Sequence, residues 1–232
     1  AGDAGTWAVY IDNNGYIGDV SPMVGVEITT LDTAGNPVKF HSVVISPANR
    51  PTSTGFEESP GGKSWSFEPR SGYFNESQES VAMSTDKTTW PPFWPDKQND
   101  GIDPGWRGSW NGYFGKDLQN IQQESFFVMD DNNDEEFNYP QNNIWNVAFK
   151  PDSTNLARNG LGLEVKVRGM QWQQFLAQDV LFWLYEVTNT STVDYTNVVF
   201  GMLVGTYVGV TGTDDRPQEY DDDWSFFDVE ND

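Results

Sequence analysis

The strongest constraint on the fold lies in residues 161–210, where three consecutive segments carry strand patterns. Residues 161–169 (LGLEVKVRG) alternate apolar side chains with Gly, Glu, Lys and Arg, which is typical of a strand with one buried and one solvated face. Residues 180–187 (VLFWLYEV) and 196–210 (TNVVFGMLVGTYVGV) are rich in β-branched and aromatic residues, which favour strands. Three long consecutive strands joined by polar turns predict an antiparallel sheet. A helix over residues 171–182 is the competing interpretation, because four apolar residues there approach helical spacing.

The first 45 residues predict two hairpins. WAVYI and YIGDV flank the turn residues 12–15, in which Asn14-Gly15 supplies the positive-φ positions of a tight turn. VGVEITTL and VKFHSVVI flank a second turn over residues 32–37. We therefore predict one all-β domain over residues 1–232, an antiparallel β-sandwich or jelly-roll-like fold. Its N-terminal hairpins would cover residues 7–45 and its main sheet about 146–210.

Residues 46–145 are predicted to form a long loop-rich insertion. This segment is rich in Trp, Pro, Gly and Asp and shows little periodicity. Four prolines lie close together, which excludes a helix and a central strand at that point; they are Pro91, Pro92, Pro95 and Pro104. We expect an ordered loop held by its own aromatic side chains. The sequence ends in WSFFDVEND without a turn signal, so we also expect a longer parent chain.

The charge of the chain excludes several classes of partner. It carries 35 acidic and 13 basic residues, a formal net charge of −22. Such a chain repels nucleic acids and anionic lipid headgroups, so we expect no nucleic-acid partner. No apolar run reaches the roughly 18 residues that a membrane span needs, so we expect no membrane insertion. Because there is no Cys, disulfides, thiolate metal sites and cysteine nucleophiles are excluded.

Three acidic clusters contain oxygen donors at spacings that suggest calcium ligands. The first cluster covers residues 96–103. Its alternating oxygen side chains followed by Gly101 resemble the start of a calcium loop, but Arg107 occupies the position of the usual final Glu. The second has oxygen donors at every other residue, and the third is the acidic C-terminal stretch. The predicted ligands are Asp96, Gln98, Asp100 and Asp103; Asp130, Asn132, Asp134 and Glu136; and Asp214, Asp215, Asp221, Asp222 and Asp223.

Calcium and simple solvation remain alternative interpretations of each cluster. Two unit charges 4 Å apart repel by about 1 kcal/mol in water and about 4 kcal/mol at an effective dielectric of 20. Aromatic residues flank the second and third clusters, for example Phe126, Phe137 and Trp224, which indicates that the acidic turns are held against a core. Ordered carboxylates beside an apolar surface favour a bound hard cation. We therefore predict Ca²⁺, which accepts many mixed oxygen ligands from flexible loops.

The sequence contains few arrangements of residues that indicate catalysis. His41 is the single histidine, so a histidine-rich zinc site cannot form, and no G-x-S-x-G motif accompanies it. Acidic pairs for glycoside hydrolysis are abundant, but nothing in the sequence selects one pair from the others. We therefore expect a protein that is not an enzyme.

Four tryptophans in the insertion form a second candidate site. Trp90, Trp94, Trp106 and Trp110 lie beside Asp and Asn residues and could stack against sugar rings. The alternative is that these rings pack against one another under the Pro-rich loop.

Several strings in the chain resemble large secreted proteins of Bacteroidota-like bacteria. They are NNGYIG, WPPFWPDKQNDGIDPGWRGSWNGYFGK, ESFFVMDDNNDEEF, LGLEVKVRGMQWQQFLAQDVLFWLYEVTN and VFGMLVGTYVGVTGTDDRPQEYDDDWSFFD. Such chains are mostly uncharacterised and often end in a type IX sorting domain. The resemblance implies export, a multi-domain parent chain and calcium loops, and it brings no catalytic residues with it.

We therefore expect a calcium-stabilised, non-enzymatic module of an extracellular or cell-surface protein, used for surface architecture, adhesion or filament assembly. Its expected partners are other copies or domains of the same surface protein, joined through open sheet edges. The alternative is a carbohydrate-binding module, or a fragment of a polysaccharide-degrading hydrolase, with polysaccharide as its ligand.

Overall fold

The computed structural model describes residues 8–9, 14–45, 66–78, 80–91, 109–116, 121–134, 136–137 and 147–210. Within these ranges the protein is all-β and contains no α-helix, and all ladders between its strands are antiparallel. The strands are β1 (Ala8–Val9), β2 (Asn14–Asp32), β3 (Pro37–Ile45), β4 (Glu68–Pro69), β5 (Ala82–Met83), β6 (Asn111–Gly112), β7 (Gly115–Lys116), β8 (Gln123–Asp130), β9 (Val147–Ala148), β10 (Leu163–Gln171), β11 (Phe182–Asn189) and β12 (Val198–Val210). One 3₁₀ turn covers Lys87–Thr89.

The first sheet is organised around the long strand β2. Strand β12 pairs with the first part of β2 in the register Val198↔Val26 to Val210↔Asn14. Strand β3 pairs with the last part, from Met23↔Ile45 to Leu31↔Pro37, and the short strands β1 and β9 also pair with β2. The strand predicted over residues 196–210 is confirmed, and its register with β2 shifts beside Gly205 and Gly209.

Both predicted N-terminal hairpins are present, with one difference in their turns. The β2–β3 turn is closed by Asp32, whose carboxylate accepts hydrogen bonds from the backbone N–H groups of Ala34 and Asn36 at 2.9 and 2.8 Å. Gly35 has a φ of 87°, which a residue with a side chain rarely adopts. In the β1–β2 hairpin, Asn14 and Gly15 already belong to β2, so the chain reverses before them and not at them.

The second sheet has the order β11-β10-β8-β4, and β5 also pairs with β8. Strand β10 lies between β8 and β11 and alternates strictly between buried and half-buried residues, as predicted. Residues 175–179 form turns and no helix lies between Gln171 and Phe182, so the alternative of a helix over 171–182 is wrong. The three consecutive strands do not form one sheet, because β12 leaves the second sheet and pairs with β2 of the first.

The two sheets face each other across one apolar core, which makes the fold a β-sandwich. Every second residue from Pro22 to Ile28 of β2 and from Leu163 to Gly169 of β10 is buried, as the two-residue period of a strand requires. The buried core residues are Val24, Val26, Ile28, Phe40, Val44, Phe67, Met129, Val147, Phe149, Leu161, Leu163, Val165 and Val167.

The segment predicted as a loop insertion contains part of the sandwich itself. Strand β8 lies inside residues 46–145, so the second sheet begins before the predicted boundary at about residue 146. A second buried cluster covers the outer face of β8; it consists of Tyr73, Ala82, Trp110, Phe126 and Val128. Because β8 is covered on both faces, its residues 126–129 (FFVM) are continuously apolar and show no alternation. Residues 46–65 and 92–108 lie outside the described residues.

Candidate functional site: an acidic turn and an open sandwich edge

The acidic turn that follows β8 is anchored by Asp131, which sequence reasoning did not select. Its Oδ1 accepts hydrogen bonds from Arg158 Nη2 at 2.7 Å and from the backbone N–H of Leu163 at 2.9 Å. Its Oδ2 accepts one from the backbone N–H of Leu161 at 2.6 Å. Burial raises the pKa of Asp131 to about 6, and Arg158 and the two backbone donors oppose that rise. The carboxylate is therefore ionised at pH 7, where it ties the turn to the start of β10.

A glycine makes this close approach possible. Gly160 has a φ of 62°, and a Cβ built there would lie 2.4 Å from the backbone oxygen of Asp131. Any larger residue would displace the acidic turn from the loop before β10. The string NGLG that precedes β10 was the signal in the sequence for such a contact, since glycines at close backbone approaches are common.

Asp134 and Glu136 are buried in the same turn and have different partners. Glu136 Oε2 accepts a hydrogen bond from Ser42 Oγ at 2.6 Å, which joins the turn to β3 of the first sheet. Asp134 Oδ1 accepts one from the backbone N–H of Glu136 at 2.9 Å, whereas its buried Oδ2 has no hydrogen-bond partner among the described residues. Burial, with the nearby charges of Glu136 and Asp131, raises the pKa of Asp134 well above its ordinary value.

Asp130 and Asn132 are directed away from these buried acids. Asp130 faces Arg70, with the Nε to Oδ2 distance at 3.5 Å, and Arg70 also pairs with Glu164. Asn132 is exposed and accepts a hydrogen bond from the backbone N–H of Asn159. These residues contribute to the lining of an open polar pocket of ≈ 450 Å³ at the end of the second sheet.

The predicted calcium ligands of this turn are therefore not gathered around one point. Asp130 is paired with an arginine, Glu136 with a serine, and no group of three or more acidic or histidine side chains in the described ranges could hold a metal ion. The predicted ligands between residues 96 and 103 and between residues 214 and 223 lie outside the described residues.

Two of the four predicted stacking tryptophans are engaged in packing. The rings of Trp90 and Trp110 lie 5.6 Å apart, and Trp110 is buried. The indole N–H of Trp110 donates to Glu124 Oε2 at 3.0 Å, and that of Trp90 donates to the backbone oxygen of Met83 at 2.7 Å. A buried ring offers no face to a sugar, so the packing interpretation is the better one for Trp110. Trp94 and Trp106 lie outside the described residues.

Glu124 is a buried acid that has a structural role, because its carboxylate is bound by groups from other elements of the fold. Its Oε1 accepts hydrogen bonds from Arg168 Nη1 at 2.5 Å and from the backbone N–H of Tyr113 at 3.0 Å. The guanidinium group of Arg168 lies over the ring of Phe126, 4.6 Å from its centroid. This ion pair holds the β6–β7 hairpin against the outer face of β8.

The other prominent surface is an apolar region along β11 and β12, here called the open edge. Val198, Phe200 and Met202 of β12 lie in register with buried residues of β2, yet Phe200 is 50% exposed and its partner Val24 only 1%. On β11, Trp183 is 47% exposed, although its partner Gly169 of β10 is buried. The rings of Tyr185 and Phe200 lie 6.3 Å apart, so β11 and β12 line the same side of the sandwich.

The open edge differs from the other sheet edges among the described strands. Edge strand β3 carries Lys39 and His41, which lie 2.8 and 3.4 Å from the carboxylate of Glu27, and β4 and β5 contain two residues each. Natural proteins protect sheet edges in these ways. Strand β12 has 13 residues, no charged residue and no proline, and within the described part of the chain it pairs only with β2.

No protein-family model, curated protein or solved structure matches this chain. In the described ranges, no helix combines the length and the apolarity that crossing a membrane requires.

Proposed function

We propose that this domain is a non-enzymatic structural module of an extracellular or cell-surface protein, which assembles through its open edge with a neighbouring copy or domain and is stabilised by calcium. The single observation that supports assembly is the exposure of apolar, core-directed side chains on β11 and β12. Edge strands of this kind pair with another chain by adding a strand to the sheet. The resemblance to secreted bacterial surface proteins supports the location.

The assembly function is tested by sedimentation velocity of the whole chain over a wide range of concentration. We expect the sedimentation coefficient to rise with concentration at physiological ionic strength. A chain that stays monomeric at every concentration, and also binds no other domain of its parent chain, contradicts the assembly function.

The calcium part of the proposal is tested by thermal melts with Ca²⁺ and with EDTA at constant ionic strength. Ion binding to the folded state alone, at 100 times the Kd, adds about 2.7 kcal/mol of stability. Mg²⁺ at equal concentration is the control for general screening of the 35 acidic residues. A melting temperature that is the same in Ca²⁺ and in EDTA leaves a structural module without a calcium requirement.

A carbohydrate-binding module is the second candidate, and an exposed aromatic pair favours it. Tyr113 and Phe114, at the tip of the β6–β7 hairpin, are each about half exposed, and their ring centroids lie 5.1 Å apart. Exposed aromatic faces are suited to stacking on sugar rings. Binding on a glycan array that is lost in Tyr113→Ala, with unchanged melting, would support this function in place of assembly.

A further inference from the structure

We propose that the partner at the open edge is a second copy of this chain, and that the two β12 strands pair antiparallel about a two-fold axis at Gly201. This inference depends on the proposed assembly function, because it names the partner and the register of the same edge. The dimer would join the two first sheets into one continuous sheet across the axis.

The register follows from the pattern of β12. In an antiparallel pair of identical strands related by a two-fold axis, each residue lies opposite a residue of the other copy. The two residues are equally far from the axis residue, one before it and one after it in sequence. An axis at Gly201 places Val199 opposite Leu203, Phe200 opposite Met202 and Val198 opposite Val204 of the second copy. All three pairs are apolar, and such cross-strand pairs stabilise a sheet. Gly201 itself has no side chain at the point where the two backbones meet.

The exposed apolar residues of β12 are the ones that the proposed register uses. They are Val198, Val199, Phe200, Met202, Leu203 and Val204, which are each 36–69% exposed. The same six residues make up the three cross-strand pairs about Gly201.

Charge favours a second copy at this edge over a partner chosen by electrostatic attraction. Each copy carries a net charge of −22, so two copies repel at low ionic strength. The stretch 198–210 contains no charged residue, so pairing β12 with β12 brings no like charges into direct contact. We therefore expect the dimer to become tighter as salt is added, whereas a complex with a basic partner would weaken.

Cysteine cross-linking tests the register, because the natural chain has no Cys. In the double variant V199C/L203C, each new thiol faces the other one across the axis. We expect this variant to form a disulfide-linked dimer under mild oxidation and to run as a dimer on a non-reducing gel. The single variants V199C and L203C are the matched controls and should remain monomeric on the gel. Efficient cross-linking by either single variant overturns the register.

A charge variant tests the edge itself. Val199 and Val43 flank Gly25 on one face of the first sheet, and both are more than half exposed. We expect Val199→Lys to raise the dimer dissociation constant by about tenfold or more, which corresponds to 1.4 kcal/mol or more. Val43→Lys, on the β3 side, should leave it unchanged. Sedimentation velocity at several concentrations measures both.

The possible failures are distinguishable. Association that persists in Val199→Lys but is lost in a β11 variant such as Leu184→Lys overturns the β12 dimer and leaves the assembly function in place. A wild-type chain that is monomeric yet binds another domain of its parent chain likewise overturns the β12 dimer and leaves the assembly function in place. Wild-type chain that associates with nothing overturns both.

Discussion

Asp131 and Asp134 lie three residues apart in one turn and are buried in different ways. Within the described part of the chain, Asp131 has three hydrogen-bond donors around its two oxygens, whereas Asp134 has one donor for Oδ1 and none for Oδ2. An ionised carboxylate that is buried without partners is costly, so a proton or a cation at Asp134 would relieve that cost. The two possibilities give opposite results in a conservative variant.

Asp134→Asn is expected to flatten the pH dependence of stability. The folded-state pKa of Asp134 is raised by burial, so the folded protein holds this proton more tightly than the unfolded chain. Its contribution is fully present below the unfolded pKa, near 3.8, and is lost as the pH rises through the folded value. Between pH 5 and pH 8, the melting temperature of the wild-type protein should therefore fall by more than that of the variant.

The comparison with the wild type controls for the acidic groups that do not interact with Asp134. Asp131, with its pKa of about 6, does interact with it, because its charge raises the pKa of Asp134. The difference in pH slope therefore reports the two carboxyl groups together. Equal pH slopes would contradict the proton at Asp134. A variant that melts lower in Ca²⁺ and no longer responds to EDTA would instead place a cation there.

Strand β8 is the element that sequence reasoning placed incorrectly. Its neighbours in the chain are Trp- and Pro-rich, and its own residues do not alternate, so it was assigned to an insertion. The structure buries Phe126 and Val128 on one face and Met129 on the other. Strand β8 therefore lies between the core of the sandwich and an outer apolar layer. The chain segment before β8 supplies that outer layer.

Phe126→Ala tests whether this outer layer is part of the folding core. Phe126 is 1% exposed and contacts Tyr73 and the guanidinium group of Arg168. We expect a loss of about 3–5 kcal/mol in the free energy of unfolding, measured by urea denaturation. Phe175→Ala is the control; this ring is 84% exposed, so the change should stay within about 0.5 kcal/mol. A loss of less than about 1 kcal/mol in Phe126→Ala would show that the outer layer is peripheral.

The sequence predicts where these strands lie better than it predicts which strands pair with each other. Residues 163–171, 182–189 and 198–210 form strands as predicted, because their composition and alternation are local properties. That β12 pairs with β2, more than 170 positions earlier in the chain, depends on contacts that no local pattern encodes. The same applies to Arg158 and Asp131, which meet only after β8 and β10 pair.

At the scale of the whole molecule, the net charge of −22 acts against compactness. We expect the melting temperature to rise between 10 and 150 mM NaCl, as the Debye length falls from about 30 Å to about 8 Å. The effect should shrink at pH 4.5, where many of the carboxylates are protonated. Differential scanning calorimetry measures both conditions, and a melting temperature that falls with salt at pH 7 would contradict this expectation.

The all-β class, the strands of the C-terminal half, the β2–β3 hairpin and the acidity of the chain are written in the sequence, because each depends on composition or on neighbours within a few residues. Only the tertiary structure decided that β12 pairs with β2, that Asp131 and not its alternating neighbours anchors the acidic turn, and that apolar side chains of β11 and β12 are exposed in the described part of the chain. Burial and charge pairing arise between residues distant in the chain, so they exist only once the two sheets have formed.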